Sequence, residues 1–187
     1  MSATAPRTRA DAVRNAERVL AAATEVVAEK GAEAGVPEIA ARAGVGKGTV
    51  YRCFPTKEHL IGAVLVERLR WFTETAQAAA ERPDAWEAFV DLLVDAAERQ
   101  AGDCTFSAGL SHESVLPEVV AAREAMHEAM DALMARAQAA GRMREGVTSR
   151  DVKVLFAGTA QMLRADGNRD PAEWRRYAGL VANAVRA

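Results

Sequence analysis

The stretch VPEIAARAGVGKGTVYRCFP, residues 36–55, decides the fold of this chain. Small and apolar residues occupy the positions at which two short crossed helices must touch, namely Ile39, Ala40, Ala43, Val45 and Val50. Ala40 keeps the first helix thin at the crossing, and Gly44 readily adopts the positive φ that a tight turn between helices needs. Because six positions agree on one geometry, the pattern indicates a helix-turn-helix that binds DNA.

The segment around this motif, residues 10–67, resembles the amino-terminal domain of the tetracycline-repressor (TetR) family of bacterial transcriptional regulators. The resemblance is carried by EKG at 29–31, IA at 39–40, AGV at 43–45 and TVYRCFPTKEHL at 49–60. Two positions depart from the family pattern, because Val36 and Gly46 stand where hydroxyl residues usually open the two helices. The rest of the chain resembles the family only in length, helical character and order of parts.

The resemblance implies that six residues contact DNA, namely Lys47, Gly48, Thr49, Tyr51, Arg52 and Lys57. Lys47 and Arg52 are candidates for reading the O6 and N7 atoms of guanine, although either could rest on a phosphate instead. Thr49, Tyr51 and Lys57 would hold backbone phosphates, and the small Gly48 would let the helix backbone approach closely. The alternative for all six is an ordinary solvated helix surface.

The charge distribution supports DNA binding better than the net charge of −2 does. Residues 1–60 carry nine Lys or Arg against seven Asp or Glu, whereas residues 61–187 carry fifteen against nineteen. Between residues 36 and 57, Glu38 alone opposes four cations, namely Arg42, Lys47, Arg52 and Lys57. A local basic face on an acidic body is typical of a site-specific DNA-binding protein.

Composition favours an all-α protein of about nine helices. Alanine, leucine, valine and arginine are abundant, and aromatic residues make up only 5% of the chain. Helical periodicity and capping residues place the predicted helices at about 11–30, 57–80, 85–102, 106–113, 117–140 and 149–165, with two more inside the motif at 36–55 and a last one that opens at 170–171. We expect a helix-turn-helix DNA-binding domain at 1–56 and a ligand-binding and dimerisation domain at 57–187.

The chain lacks an apolar run long enough to span a bilayer and a hydrophobic signal core, so a cytoplasmic protein without a membrane partner is expected. Cys53 and Cys104 fall in separate halves, which favours reduced thiols over a disulfide. Oxidant sensing by Cys53 is the alternative to a small thiol facing the core of the motif.

The last two predicted helices carry more apolar surface than one face of a monomer needs. The candidates for a dimer interface are Val152, Leu155, Phe156, Trp174, Tyr177, Leu180 and Val181. One interpretation is an ordinary buried helical hairpin. The other, implied by the resemblance, is a two-fold homodimer held by a four-helix bundle.

The second half also contains candidates for an apolar cavity between helices. They are Trp86, Phe89, Leu93, Phe106, Met126, Met130 and Met134. Methionines at helical spacing equally suit a simple core. If a cavity exists, an apolar or amphipathic small molecule would bind there and change the spacing of the two DNA-reading helices.

Enzyme-like signals are weak. The segment GVGKGT at 44–49 suggests a phosphate loop, but Ala41 and Gly48 stand where that motif needs Gly and Ser or Thr. His112, Glu113 and His127 lack a diagnostic metal-ligand spacing. We therefore expect no catalysis, metal or cofactor, and predict a ligand-releasable repressor that binds a palindromic operator as a homodimer. Two rivals stay open: a helical carrier of small molecules or lipids, and an enzyme acting within the cavity.

Overall fold

The computed structural model describes residues 9–104 and 115–187. These residues form eight α-helices and no β-strand: α1 Arg9–Lys30, α2 Val36–Arg42, α3 Lys47–Cys53, α4 Lys57–Ala80, α5 Ala85–Gly102, α6 Pro117–Ala139, α7 Ser149–Ala165 and α8 Pro171–Ala184. The all-helical prediction, with a helix-turn-helix ahead of a larger helical domain, is confirmed. The helix predicted at 106–113 lies outside the described residues.

Side-chain caps set the starts of four helices. Thr56 Oγ1 accepts the His59 N–H at the start of α4, and Asp84 Oδ1 accepts two N–H groups at the start of α5. Those backbone N–H groups lower the pKa of Asp84 because they stabilise its charged form. Thr148 and Asp151 form a capping box on α7, and Asp170 caps α8 ahead of its first-turn proline.

The amino-terminal core joins α1, α2, α3 and the first turns of α4. Ile39 and Val50 are fully buried, together with Val26 of α1 and Leu60 and Val64 of α4. The turn between α2 and α3 places Gly44 at φ +65°, a left-handed conformation that glycine adopts without a Cβ clash. The crossed pair predicted from the sequence offsets is therefore held against two further helices.

The carboxyl-terminal core is centred on α5. This helix packs against α4, α6 and α8. Its Phe89 is completely buried, and its Trp86 is almost completely buried. Trp174 of α8 is also buried, and its indole Nε1–H donates to the Asn168 carbonyl oxygen at 3.0 Å. Across residues 9–104 and 115–187, none of the helices combines the length and apolar character that crossing a bilayer requires.

Gly62 lets α4 and α6 approach closely. A Cβ atom built at this glycine would lie 2.7 Å from Leu116 Cδ1 and 3.3 Å from Val119 Cγ2. The first distance is shorter than a carbon–carbon contact allows, so any side chain here must displace Leu116. Gly62 therefore determines how tightly α6 packs on the helix that connects the two cores.

We expect Gly62→Val to destabilise the protein by about 1–3 kcal/mol, because a branched side chain forces α4 and α6 apart. Gly62→Ala is the matched control. Its single methyl displaces only the flexible end of Leu116, and alanine gains about 1 kcal/mol of helix propensity over glycine. Urea denaturation followed by circular dichroism measures both, and a Val variant as stable as the wild type would contradict the packing argument.

Candidate DNA-binding surface and C-terminal cavity

The helix α3 exposes one face and buries the other. Lys47, Gly48, Tyr51 and Arg52 are exposed, while Val50 points into the amino-terminal core. At about 100° per residue these four candidates fall within an arc of about 140°, so they lie on one side of α3. Thr49 is half-buried beside them. Lys57 is exposed on a different element, the first turn of α4.

Arg52 lies along its own helix. Its Nε–H donates to the Gly48 carbonyl oxygen at 2.9 Å, and its Nη2 lies 3.5 Å from Thr49 Oγ1. A guanidinium carries five N–H donors, so donors remain for a DNA group. Lys47 forms no ion pair or hydrogen bond within the described residues. Both cations are thus placed on the exposed surface where a nucleic acid could reach them.

Arg42 does not contribute to this basic face. Its guanidinium makes two bonds to the Glu29 carboxylate, at 2.9 and 3.0 Å, and a third to Glu25 at 3.2 Å. These carboxylates raise the pKa of Arg42, and Arg42 lowers the pKa of Glu29. Glu38 is likewise paired, with Lys30 at 2.8 Å. The charge count from the sequence therefore overstates the basic face by one arginine.

A cavity of about 60 Å³ lies between α4, α5, α6 and α7. It is lined by Phe72, Leu93, Gln100, Met126, His127, Met130, Ser149, Val152, Lys153, Phe156 and Ala157. Three of the predicted cavity residues therefore line it: Leu93, Met126 and Met130. Trp86, Phe89 and Met134 are buried in the surrounding core without lining the cavity, and Phe106 lies outside the described residues.

The residues predicted for a dimer interface fall into an inner and an outer set. Val152 and Phe156 line the cavity, and Trp174 and Val181 are buried in the core, with Tyr177 packed half-buried against it. The outer set comprises Leu155, which is 42% exposed, and Leu180, which is 50% exposed. The neighbouring Met162 is 61% exposed. We call the exposed residues Leu155, Met162 and Leu180 the outer apolar face.

Comparison with known proteins identifies the family to which this chain belongs. Residues 19–64 match the family model described as bacterial regulatory proteins, tetR family. Residues 70–187 match the model of the SbtR-like transcriptional regulator C-terminal domain. The chain belongs to the TetR family. It is accordingly a DNA-binding transcriptional regulator, and the family and fold are those of regulators rather than enzymes.

Solved TetR-family structures cover almost the whole chain. It is 30% identical to a regulator from Streptomyces coelicolor, covering 91% of this chain and 98% of that one, with a TM-score of 0.61. A Mycobacterium vanbaalenii regulator is also 30% identical, with coverage of 96% and 99% and a TM-score of 0.61. FadR from Bacillus subtilis, solved with stearoyl-CoA, shares the fold at 21% identity, 90% and 98% coverage and a TM-score of 0.66. A comparison with curated protein sequences finds no match.

Sequence reasoning missed several residues that line the cavity of this TetR-family protein. Gln100 could have been predicted from the sequence, because it is a polar residue that interrupts the apolar face of α5 seven residues after Leu93. The indication for Phe72 in the sequence was weaker, since this residue is part of an apolar stripe on α4. Nothing in the sequence predicted Lys153 as a cavity residue, since a lysine between apolar residues usually extends its charged end into solvent.

Within residues 9–104 and 115–187, no group of three or more His, Cys, Asp or Glu side chains is arranged to hold a metal ion. His112 and Glu113, considered with His127 as metal ligands, lie outside the described residues. Burial lowers the pKa of His127, and nearby Lys153 lowers it further, so this imidazole is neutral near pH 7. Cys53 and Cys104 are half-buried thiols.

Proposed function

We propose that this TetR-family protein is a ligand-releasable repressor that binds a palindromic operator as a homodimer. The observation that carries the proposal is the course of α4. Its first turns contribute Leu60 and Val64 to the core that holds the recognition helix α3, and Phe72 of the same helix lines the cavity. One continuous helix thus joins the DNA-reading surface to the cavity.

The geometry of α4 supports mechanical coupling between the two sites. Leu60 and Phe72 are twelve residues apart, which corresponds to about 18 Å along an α-helix. A helix transmits a tilt over this distance because its backbone hydrogen bonds resist bending. A ligand that displaces Phe72 would therefore move the supports of α3 and shift the population toward a form that binds DNA poorly.

A second connection supports the same coupling at the end of α5. Gln100 lines the cavity, and three residues later Asp103 forms an ion pair with Arg68 of α4, with 2.5 Å between Oδ2 and Nη2. The next residue, Cys104, donates its backbone N–H to the Ala28 carbonyl oxygen of α1 at 2.9 Å. Movement of α5 around a ligand would therefore reach both α4 and α1.

The outer apolar face supports the homodimer. Leu155 and Met162 are seven residues apart on one side of α7, and Leu180 lies on the adjacent α8. Exposed apolar side chains grouped on neighbouring helices are typical of association surfaces. Two-fold pairing of α7 and α8 would make a four-helix bundle and present two copies of α3. We propose that each copy enters the major groove of one half-site, with half-sites about 34–36 Å or a multiple apart.

We propose that the two domains have separate functions. Residues 1–56 read DNA through Lys47, Gly48, Thr49, Tyr51 and Arg52, and Lys57 adds a phosphate contact from α4. Residues 57–187 bind the effector and the second subunit. We propose that the protein acts in the cytoplasm, where bacterial DNA is found, and that it catalyses no reaction.

Selection of bound fragments from the source genome, followed by mobility shifts, tests the proposed function. We expect a near-palindromic fragment to bind. Three exposed cations per subunit, Lys47, Arg52 and Lys57, give six phosphate or base contacts per dimer. Raising salt from 50 to 200 mM should then weaken binding by roughly a thousandfold. Binding without sequence preference, or without salt dependence, would contradict the proposal and favour a carrier of small molecules.

A further inference from the structure

The walls of the cavity are mostly apolar, but they also carry four polar residues. Phe72, Leu93, Met126 and Phe156 supply much of the apolar lining. The polar residues that line it are Gln100, His127, Ser149 and Lys153. Acidic side chains are missing from the lining among the described residues, so a bound molecule meets one cation and neutral polar groups there.

Gln100 presents an amide N–H donor at the cavity that none of the described protein groups uses. Its side chain is 5% exposed, and its Oε1 accepts a hydrogen bond from Arg164 Nη1 at 3.1 Å. Because a guanidinium can only donate, the atom facing Arg164 must be the amide oxygen. The NH₂ group then faces away from Arg164, and it has no hydrogen-bond partner within the described residues. An unused donor on a largely buried residue that lines the cavity favours a ligand that brings an acceptor oxygen.

Lys153 supplies the one formal charge among the described cavity residues. The side chain is half-buried, and it forms no ion pair within the part of the chain that the structure describes. His127 beside it is neutral near pH 7, because burial, Lys153 and Arg123 lower its pKa more than Asp131 raises it. Asp131 is exposed and does not line the cavity. The local charge that a ligand meets is therefore positive.

We propose that the cavity binds a small apolar carboxylate, whose anionic group pairs with Lys153 while a ligand oxygen accepts from the Gln100 amide. The inference rests on the proposed function, since it names the chemical class of the effector for the same cavity. A neutral hydrocarbon leaves the Gln100 donor and the half-buried Lys153 without partners. An amine brings a second positive charge next to Lys153.

Isothermal titration of the full chain with octanoate and octan-1-ol tests the ligand class, because the two probes share one alkyl chain and differ in the head group. We expect octanoate to bind at least about tenfold more tightly than the alcohol, since charge-assisted hydrogen bonds are stronger than neutral ones. Lys153→Gln should remove most of this preference by weakening octanoate and leaving octan-1-ol unchanged. Gln100→Met should weaken octanoate several-fold.

Arg150→Gln is the matched control, because Arg150 is an exposed cation three residues earlier on α7 that does not line the cavity. It should leave octanoate affinity unchanged. Equal binding of acid and alcohol, an unaffected Lys153→Gln variant, or no binding of any carboxylate from butanoate to dodecanoate would overturn the proposal. Octanoate that binds in this pattern but leaves the operator bound would support the ligand class and contradict release by ligand.

Discussion

Arg52→Ala is expected to weaken operator binding by between about 30-fold and 10⁴-fold. A well-placed contact to a base or phosphate contributes about 1–3 kcal/mol, and the proposed homodimer would lose two copies of it. The fold should survive, because Arg52 is exposed and bonds, among residues 9–104 and 115–187, only to Gly48 and Thr49 of its own helix. Mobility shifts measure the affinity, and thermal unfolding checks the fold.

Arg42→Ala is the matched control for this prediction. It removes the same charge from the same helix-turn-helix, but Arg42 is directed at Glu25 and Glu29 of α1. Operator affinity should change by about threefold or less, since a distant exposed charge acts on DNA only through screened electrostatics. If the two variants lose equal affinity, the net charge of the motif controls binding and a positioned Arg52 does not.

Leu180→Glu is expected to convert the proposed dimer into a monomer at micromolar concentration. Each dimer would bury two carboxylates in the outer apolar face, and burying an unpaired charge costs several kcal/mol per group. The dimer dissociation constant should rise on the order of a thousandfold or more. Operator affinity should fall with it, because a monomer engages one half-site. Light scattering coupled to gel filtration measures the mass.

Val120→Glu provides the comparison. Val120 is an apolar residue of α6 that is 36% exposed and lies outside the outer apolar face. The same substitution there should leave a dimer with normal operator binding. A Leu180→Glu protein that also elutes as a dimer would show that the subunits associate through another surface.

Short-range patterns in the sequence were sufficient to predict the helix-turn-helix. The offsets of Ile39, Gly44 and Val50 lie within a dozen residues, and the structure places them in the crossed pair that the offsets require. The helix starts at Thr56 and Asp170 were also readable, because a cap bonds only to the next two or three residues. Local interactions leave local patterns, so the all-helical fold and the family could be predicted.

Only the tertiary structure decided which apolar residues face which neighbour. Val152 and Leu155 both read as apolar positions of α7, yet Val152 lines the cavity and Leu155 faces outward. Arg42 read as part of a basic face until Glu29, thirteen residues away, proved to be its partner. Helical periodicity predicts which side of a helix is apolar. Which neighbour that side contacts depends on packing between helices that are far apart in sequence.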